Sequence, residues 1–283
     1  MTWRNWLKIG LLLMPGIGLI VFFMAMVIYM AIAQSFGHYN LTGESGFSLE
    51  FWSQVSAKKA YSRSVNYSLF IGFVSAILSV ALAYPLALWL RKPFPGSLTI
   101  SAVLKAPLLV HGLVAAFLLV NIIAYHGIVN QLMQGLGIWD GPRRLQNDDI
   151  GISVLILQVW KNMPFALLLL TGAVQSISDD VLNAARDLGA GTYTRFRKVI
   201  APLSVSAMQA ALVIVFIGAL ADFSFQTIVG PVNKQSLAQY MTFFSGGARW
   251  NEAAVIGVTL MALSLVGAGV LTIGARLAFG ARK

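Results

Sequence analysis

The chain has 283 residues, 58% hydrophobic and 11% charged, with 20 Lys and Arg against 10 Asp and Glu, a formal net charge of +10. Soluble domains carry about a quarter charged residues, so this composition excludes a water-soluble globule and indicates a membrane protein. The absence of cysteine excludes disulfides and thiolate metal sites, and the basic excess reads as loops retained in the cytoplasm, not as a nucleic-acid surface.

A helix needs about 20 apolar residues to cross a bilayer. Six runs of that size, separated by charge, glycine or proline, lie at roughly 9–33, 65–90, 98–124, 150–174, 203–229 and 253–275. None has the period-2 alternation of a barrel strand, so the expected fold is an all-α membrane protein with six transmembrane helices in a single domain, residues 1–283. Arg4 and Lys8 precede the first run and "AIA" closes it, as in a secretion signal, but the run exceeds the apolar core of a signal peptide and reads as a retained anchor.

Alternate loops set the orientation. One side holds Arg4, Lys8, Arg91, Lys92, Lys105, Arg186, Arg195, Arg197, Lys198, Arg276, Arg282 and Lys283, and the other Lys58, Lys59, Arg63, Arg143, Arg144, Lys234 and Arg249. Both termini are therefore expected in the cytoplasm. Between the first two runs, "FSLEFWSQVSAKKAYSRSVNYSLF" mixes aromatics with charge as an interfacial helix does, and "GIVNQLMQGLGIWDGPRRL" has the same character, with Trp139 as its anchor.

The loop between the fourth and fifth runs, residues 176–202, is the longest on the cytoplasmic side. Ser178 suits an N-cap, Asp179 and Asp180 fall in a first helical turn, and Gly189 is placed to stop that helix in a left-handed conformation. Val181, Leu182, Ala185 and Leu188 share a helical face. A second short helix is expected from Thr192, carrying Arg195, Arg197 and Lys198 toward Pro202 at the start of the fifth span. Two short helices meeting at Ala190 and Gly191 suit a partner's groove, whereas a basic loop obeying orientation alone needs only a few charges.

This loop resembles the cytoplasmic signature of permease subunits of binding-protein-dependent ABC importers, Glu-Ala-Ala, three residues, Gly, nine residues, Ile-x-Leu-Pro. Ala184, Ala185, Gly189 and Pro202 match in register, Val199 and Ala201 replace the Ile and Leu, and Asn183 stands where the family has Glu. Asn183 keeps hydrogen-bonding capacity but no charge. "RSVNYSLFIGFVSAILSVALAYPLALWLRK" is similar to the second span of polyamine, iron and sulfate permeases.

The resemblance implies a type I importer permease in a bacterial inner membrane, working with a second permease, identical or similar, a pair of ATP-binding subunits and an extracytoplasmic solute-binding protein. Asn183, Ala184, Ala185, Arg186, Asp187, Gly189, Arg195 and Pro202 would couple it to the ATPase, and ATP and magnesium would belong to that partner, leaving no cofactor on this chain. The sequence has no "GxxxxGK[ST]" phosphate loop and no "HExxH" motif, and its three His residues, His38, His111 and His126, are scattered. An ion-coupled carrier would need inverted repeats, which are not found, and a membrane hydrolase a catalytic constellation.

Ionisable groups inside spans are costly and suggest function. Lys161 and Asp222 lie at depths within reach of a Lys side chain, so they read either as an ion pair locking two helices or as groups lining the solute path. His111, Asn121 and Gln158 are weaker candidates, more often satisfied by neighbouring helices. Pro85, Pro107 and Pro164 are expected to kink their helices, and the pairs Gly72 with Ala76 and Gly112 with Ala116 to allow close helix contact.

Overall fold

The computed structural model of the protein describes residues 3–41, 43–146 and 148–280. Arg282 and Lys283, used above for orientation, lie outside the described residues, as do the side chains of Arg4 and Lys8. The long apolar helix α1 (Trp3–Ser35) leads into α2 (Glu50–Ser56), the short element expected in the first outer loop. α3 (Lys59–Trp89) begins about one and a half turns before the apolar run, through the helix-prone "KAYSRS". α4 (Ser97–Lys105) follows Gly96, which at φ +86° takes a left-handed turn.

The run expected as one third span is broken. Pro107 lacks an N–H, the chain tightens into a 3₁₀ turn over Ala106–Leu109, and Val110 and His111 are extended (ψ 126° and 142°) before α5 (Gly112–Ile123). α6 (Ile128–Gly135), expected as an outer interfacial element, instead falls with α5 in one stretch long and apolar enough to cross a membrane. α7 (Ile152–Gln175) starts after Gly151 (φ +88°), where the Asp148 carboxylate accepts backbone N–H bonds from Gly151 (2.7 Å), Ile152 (2.6 Å) and Ser153 (3.0 Å). Burial pushes the Asp148 pKa up, but these N–H bonds outweigh it and hold the group below the usual carboxylate range.

α8 (Asp179–Asp187) and α9 (Thr192–Arg195) form the cytoplasmic loop. α9 does not end before the fifth span as expected. A π turn over Phe196–Ile200 carries it into α10 (Ala201–Leu220), a wider register that admits Pro202 with no N–H to donate. The span expected to reach residue 229 ends at Leu220, and α11 (Ser224–Val229) is a separate short helix. α12 (Leu237–Gly246) and α13 (Trp250–Phe279) complete the chain. Pro85 and Pro164 sit inside continuous helices, whereas Pro107 marks a break.

Among the described residues, six stretches are long and apolar enough to cross a membrane: Leu12–Ser35, Lys59–Trp89, Gly112–Gly135, Ile152–Gln175, Thr192–Leu220 and Trp250–Phe279. The described chain divides into two compact units, Met1–Tyr61 with Tyr240–Thr259, and Ser62–Gln239 with Leu260–Lys283. In the first, Arg249 pairs with Glu252 (2.7 Å) and lies over the ring of Phe244 (4.6 Å), while Asn251 Nδ2 donates to the Gln34 carbonyl (2.8 Å). Phe36 stacks on Phe47 and packs against Trp52.

The second unit is built on small residues. Ala76, Ala83 and Ala87 of α3 and Ala166 of α7 are buried with Leu167, Leu170, Val215 and Phe216, because helices in lipid gain contact only by close approach. The Phe216 ring fills the space beside Gly72 and Gly267; a Cβ added at Gly267 would lie 2.2 Å from it. The second expected small pair, Gly112 with Ala116, adjoins the buried Phe225.

Candidate functional site

The cytoplasmic elbow is a helix stopped by backbone geometry. Gly189 sits at φ +81°, its N–H donates to Arg186 C=O (2.8 Å), and the Ala190 N–H donates to Ala185 C=O (3.0 Å). This is the two-bond left-handed stop that a C′ glycine provides. Ser178 has the extended conformation of an N-cap (φ −63°, ψ 148°), but its hydroxyl makes no capping bond, so this part of the expectation is corrected.

The face expected for Val181, Leu182, Ala185 and Leu188 is divided. Leu182 is buried against the chain, whereas Val181, Leu188 and Tyr193 are 45%, 89% and 69% exposed. Asn183, Ala184, Arg186, Asp187 and Gly189 are exposed, Arg195 and Pro202 half-buried. The elbow thus leaves the apolar side chains of Val181, Leu188 and Tyr193 uncovered by the rest of the described chain.

What fastens the elbow is a residue absent from the expected site. Arg91, at the end of α3, donates to the carbonyls of Val174 (3.3 Å) and Ile177 (2.7 Å) at the end of α7, and to Asp179 Oδ1 (2.7 Å) at the start of α8. Gln175 Nε2 returns a bond to Leu90 C=O (3.2 Å), and Lys92 adds a second, exposed pair to Asp179 (3.2 Å). Bonds from Arg91 and Lys92 hold the Asp179 carboxyl below its usual range.

Inside the bilayer the expected pair between Lys161 and Asp222 does not form. Among the described residues, the ion pairs are those of Asp179 with Arg91 and Lys92 and of Arg249 with Glu252. Lys161 Nζ instead donates to the carbonyls of Pro107 (2.9 Å), Leu108 (3.3 Å) and Val110 at the break of the third span, where the Pro107 carbonyl also accepts the Val110 N–H (3.3 Å). Asp222 lies at the break of the fifth span, where its Oδ2 accepts the Phe225 N–H (3.1 Å) of α11. Each charge therefore caps a helix end of opposite dipole sign, a closer and better-matched partner than the other charge.

His111 is exposed at the extended break, and its carbonyl accepts the first bond of α5 from Ala115 (3.0 Å). It joins neither charge. Asn121 Nδ2 donates to Phe117 C=O of its own helix (2.8 Å), Asn162 Nδ2 donates to Gln158 Oε1 (2.8 Å), and Tyr67 donates to Gln226 Oε1 (2.9 Å). Gln158 Nε2 is buried beside the Asp222 carboxylate. Among the described residues no group of three His, Asp or Glu side chains is arranged to hold a metal ion.

Six apolar stretches, with the expected third and fifth runs interrupted, define a polytopic helical membrane protein. The chain belongs to the family described as binding-protein-dependent transport system inner membrane component, which matches residues 69–279. It is 29% identical over 171 residues to the spermidine/putrescine transport system permease protein PotB of Haemophilus influenzae, covering 60% of this chain and 59% of that protein. It is 27% identical over 206 residues to the thiamine transport system permease protein ThiP of Brucella abortus, covering 72% of this chain and 37% of that one. The chain thus spans less than two thirds of the length of these relatives. The fold is similar to a chain of a bacterial ABC transporter involved in import of the acidic polysaccharide alginate, with a TM-score of 0.78, 17% identity and 96% of each chain covered.

Proposed function

We propose that this chain is the permease subunit of an ATP-driven importer in a bacterial inner membrane, and that its cargo is a small organic cation. Two permeases, identical or similar, line the path, a pair of ATPase subunits carrying ATP and magnesium seats on the elbows, and an extracytoplasmic binding protein delivers solute. The observation that carries the reading is the elbow itself, a glycine-stopped helix with exposed Val181, Leu188 and Tyr193, in a chain of the binding-protein-dependent transport family. Family membership supports this over an ion-coupled carrier working alone.

The solute class is supported by relatives named for spermidine, putrescine and thiamine, all organic cations. The test is reconstitution in proteoliposomes with an ATPase and a solute-binding protein from the same organism that co-purify with the chain. Uptake of labelled spermidine or thiamine that requires ATP and all components is expected; uptake by the chain alone overturns the reading.

A further inference from the structure

We propose that Arg91 is the positioning residue through which the coupling helix α8 moves α3. The proposal rests on the importer reading above. Covalently, α8 is continuous with α7 on one side and leads to α9 and α10 on the other, but nothing in the chain path ties it to α3. Arg91 makes the most shielded part of that tie, beside the Gln175 bond to Leu90 C=O and the exposed Lys92 pair with Asp179. Arg91 follows the last turn of α3 and precedes "KPFPG", whose prolines turn the backbone away, so it stands at the last position that still moves with the helix.

Its guanidinium is a planar fork with fixed donor directions, and three of its nitrogens are engaged: Nε on Val174 C=O, one terminal nitrogen on Ile177 C=O, the other on Asp179 Oδ1. The Arg91 side chain is only 12% exposed while Asp179 is 54% exposed, so the two carbonyl bonds are the shielded part of the fork and the carboxylate bond is partly screened. The Lys92 contact, with 70% and 54% exposed partners, is a screened supplement. Val174 and Ile177, whose carbonyls the fork takes, and Leu90, which accepts the Gln175 bond, are all buried. Arg91 thus acts on the end carbonyls of α7 and the first residue of α8 at once, and displaces α3 with them.

A merely structural Arg91 would change how much complex assembles, not how much solute each complex moves per ATP. The readout is therefore that ratio, in proteoliposomes with the ATPase and binding protein. Arg91→Gln is expected to lower it by about tenfold, the loss of one well-placed charged contact, and Arg91→Lys, which keeps charge without the fork, to fall between. Because the chain has no cysteine, Lys92→Cys with Asp179→Cys can be added to Arg91→Gln and joined by a reductant-cleavable bis-methanethiosulfonate linker. The linker is expected to restore the ratio and reductant to abolish it. A parental ratio in Arg91→Gln, or a linked protein no better than the cleaved one, overturns the proposal. If Arg91→Gln does not assemble, Asp179→Asn, which leaves both carbonyl bonds intact, decides: a lowered ratio supports the role and an unchanged one overturns it. A parental chain that binds no ATPase sinks the importer reading and the proposal with it, whereas an intact ratio in the variants sinks the proposal alone.

Discussion

Replacing Lys161 with Met removes an ammonium from the carbonyls of Pro107, Leu108 and Val110 at the broken third span, of which Pro107 keeps the Val110 N–H (3.3 Å). A hydrogen bond to a charged group contributes about 1.5–3 kcal/mol, so three independent ones would sum to roughly 5–9 kcal/mol. They are not independent. One ammonium serves all three and Lys161 is only half-buried, so water reaches part of the site and the expected loss is about 3 kcal/mol. The assay is equilibrium unfolding of purified protein in detergent, for Lys161→Met, Asp222→Asn and the double variant. Because the two charges cap different helix ends, their effects should add within about 0.5 kcal/mol. A Lys161→Met protein as stable as its parent would refute the capping account, and so would a coupling well above that margin, which would restore the ion pair.

Gly189→Val meets no side chain, since a Cβ there has nothing within 4 Å, so its cost of about 1–2 kcal/mol is the left-handed backbone alone; uptake per ATP should fall, Gly189→Asn should retain most of it, and normal uptake by the Val variant would count against the elbow. Gly267→Leu drives a side chain into the Phe216 ring and should destabilise the protein in thermal unfolding by about 1–3 kcal/mol or more, whereas Gly269→Leu, with open space beside it, should not. The Asp179 carboxyl titrates below its usual range in the folded protein, so its stabilisation is present at neutral pH and lost as pH falls through the folded-state value. The stability difference between parent and Asp179→Asn should therefore shrink on acidification; a difference that persists in acid would contradict the pairing.

The six spans were legible because a bilayer imposes a length and an apolar content that composition records directly. The breaks were not. Residues 98–124 are apolar on both sides of Val110, so hydropathy runs through the interruption, and its causes are Pro107 and the Lys161 ammonium from another helix. The Gly189 stop could be read because a left-handed position restricts residue type, whereas the missing bond of the Ser178 hydroxyl depends on where that side chain turns. Arg91 and Asp179 are 88 positions apart, and each alone reads as a charge at a helix end. Gly72 was visible as half of a small pair, but the ring that fills the gap comes from α10.

These contacts converge on α7. Its 24 residues span about 36 Å, and each level is fixed to a different part of the second unit: Asp148 caps its outer end, Lys161 near its middle grips the broken third span, and Arg91 ties its inner end to α3 and α8. Pro164 lies between the last two and removes one backbone hydrogen bond, so a push at the inner end can bend α7 there without unwinding it. Lys161 is on the far side of that point. Under the proposed coupling, a displacement of the elbow reaches α3 through Arg91, while its path along α7 to the Lys161 grip on the third span passes the Pro164 flexure.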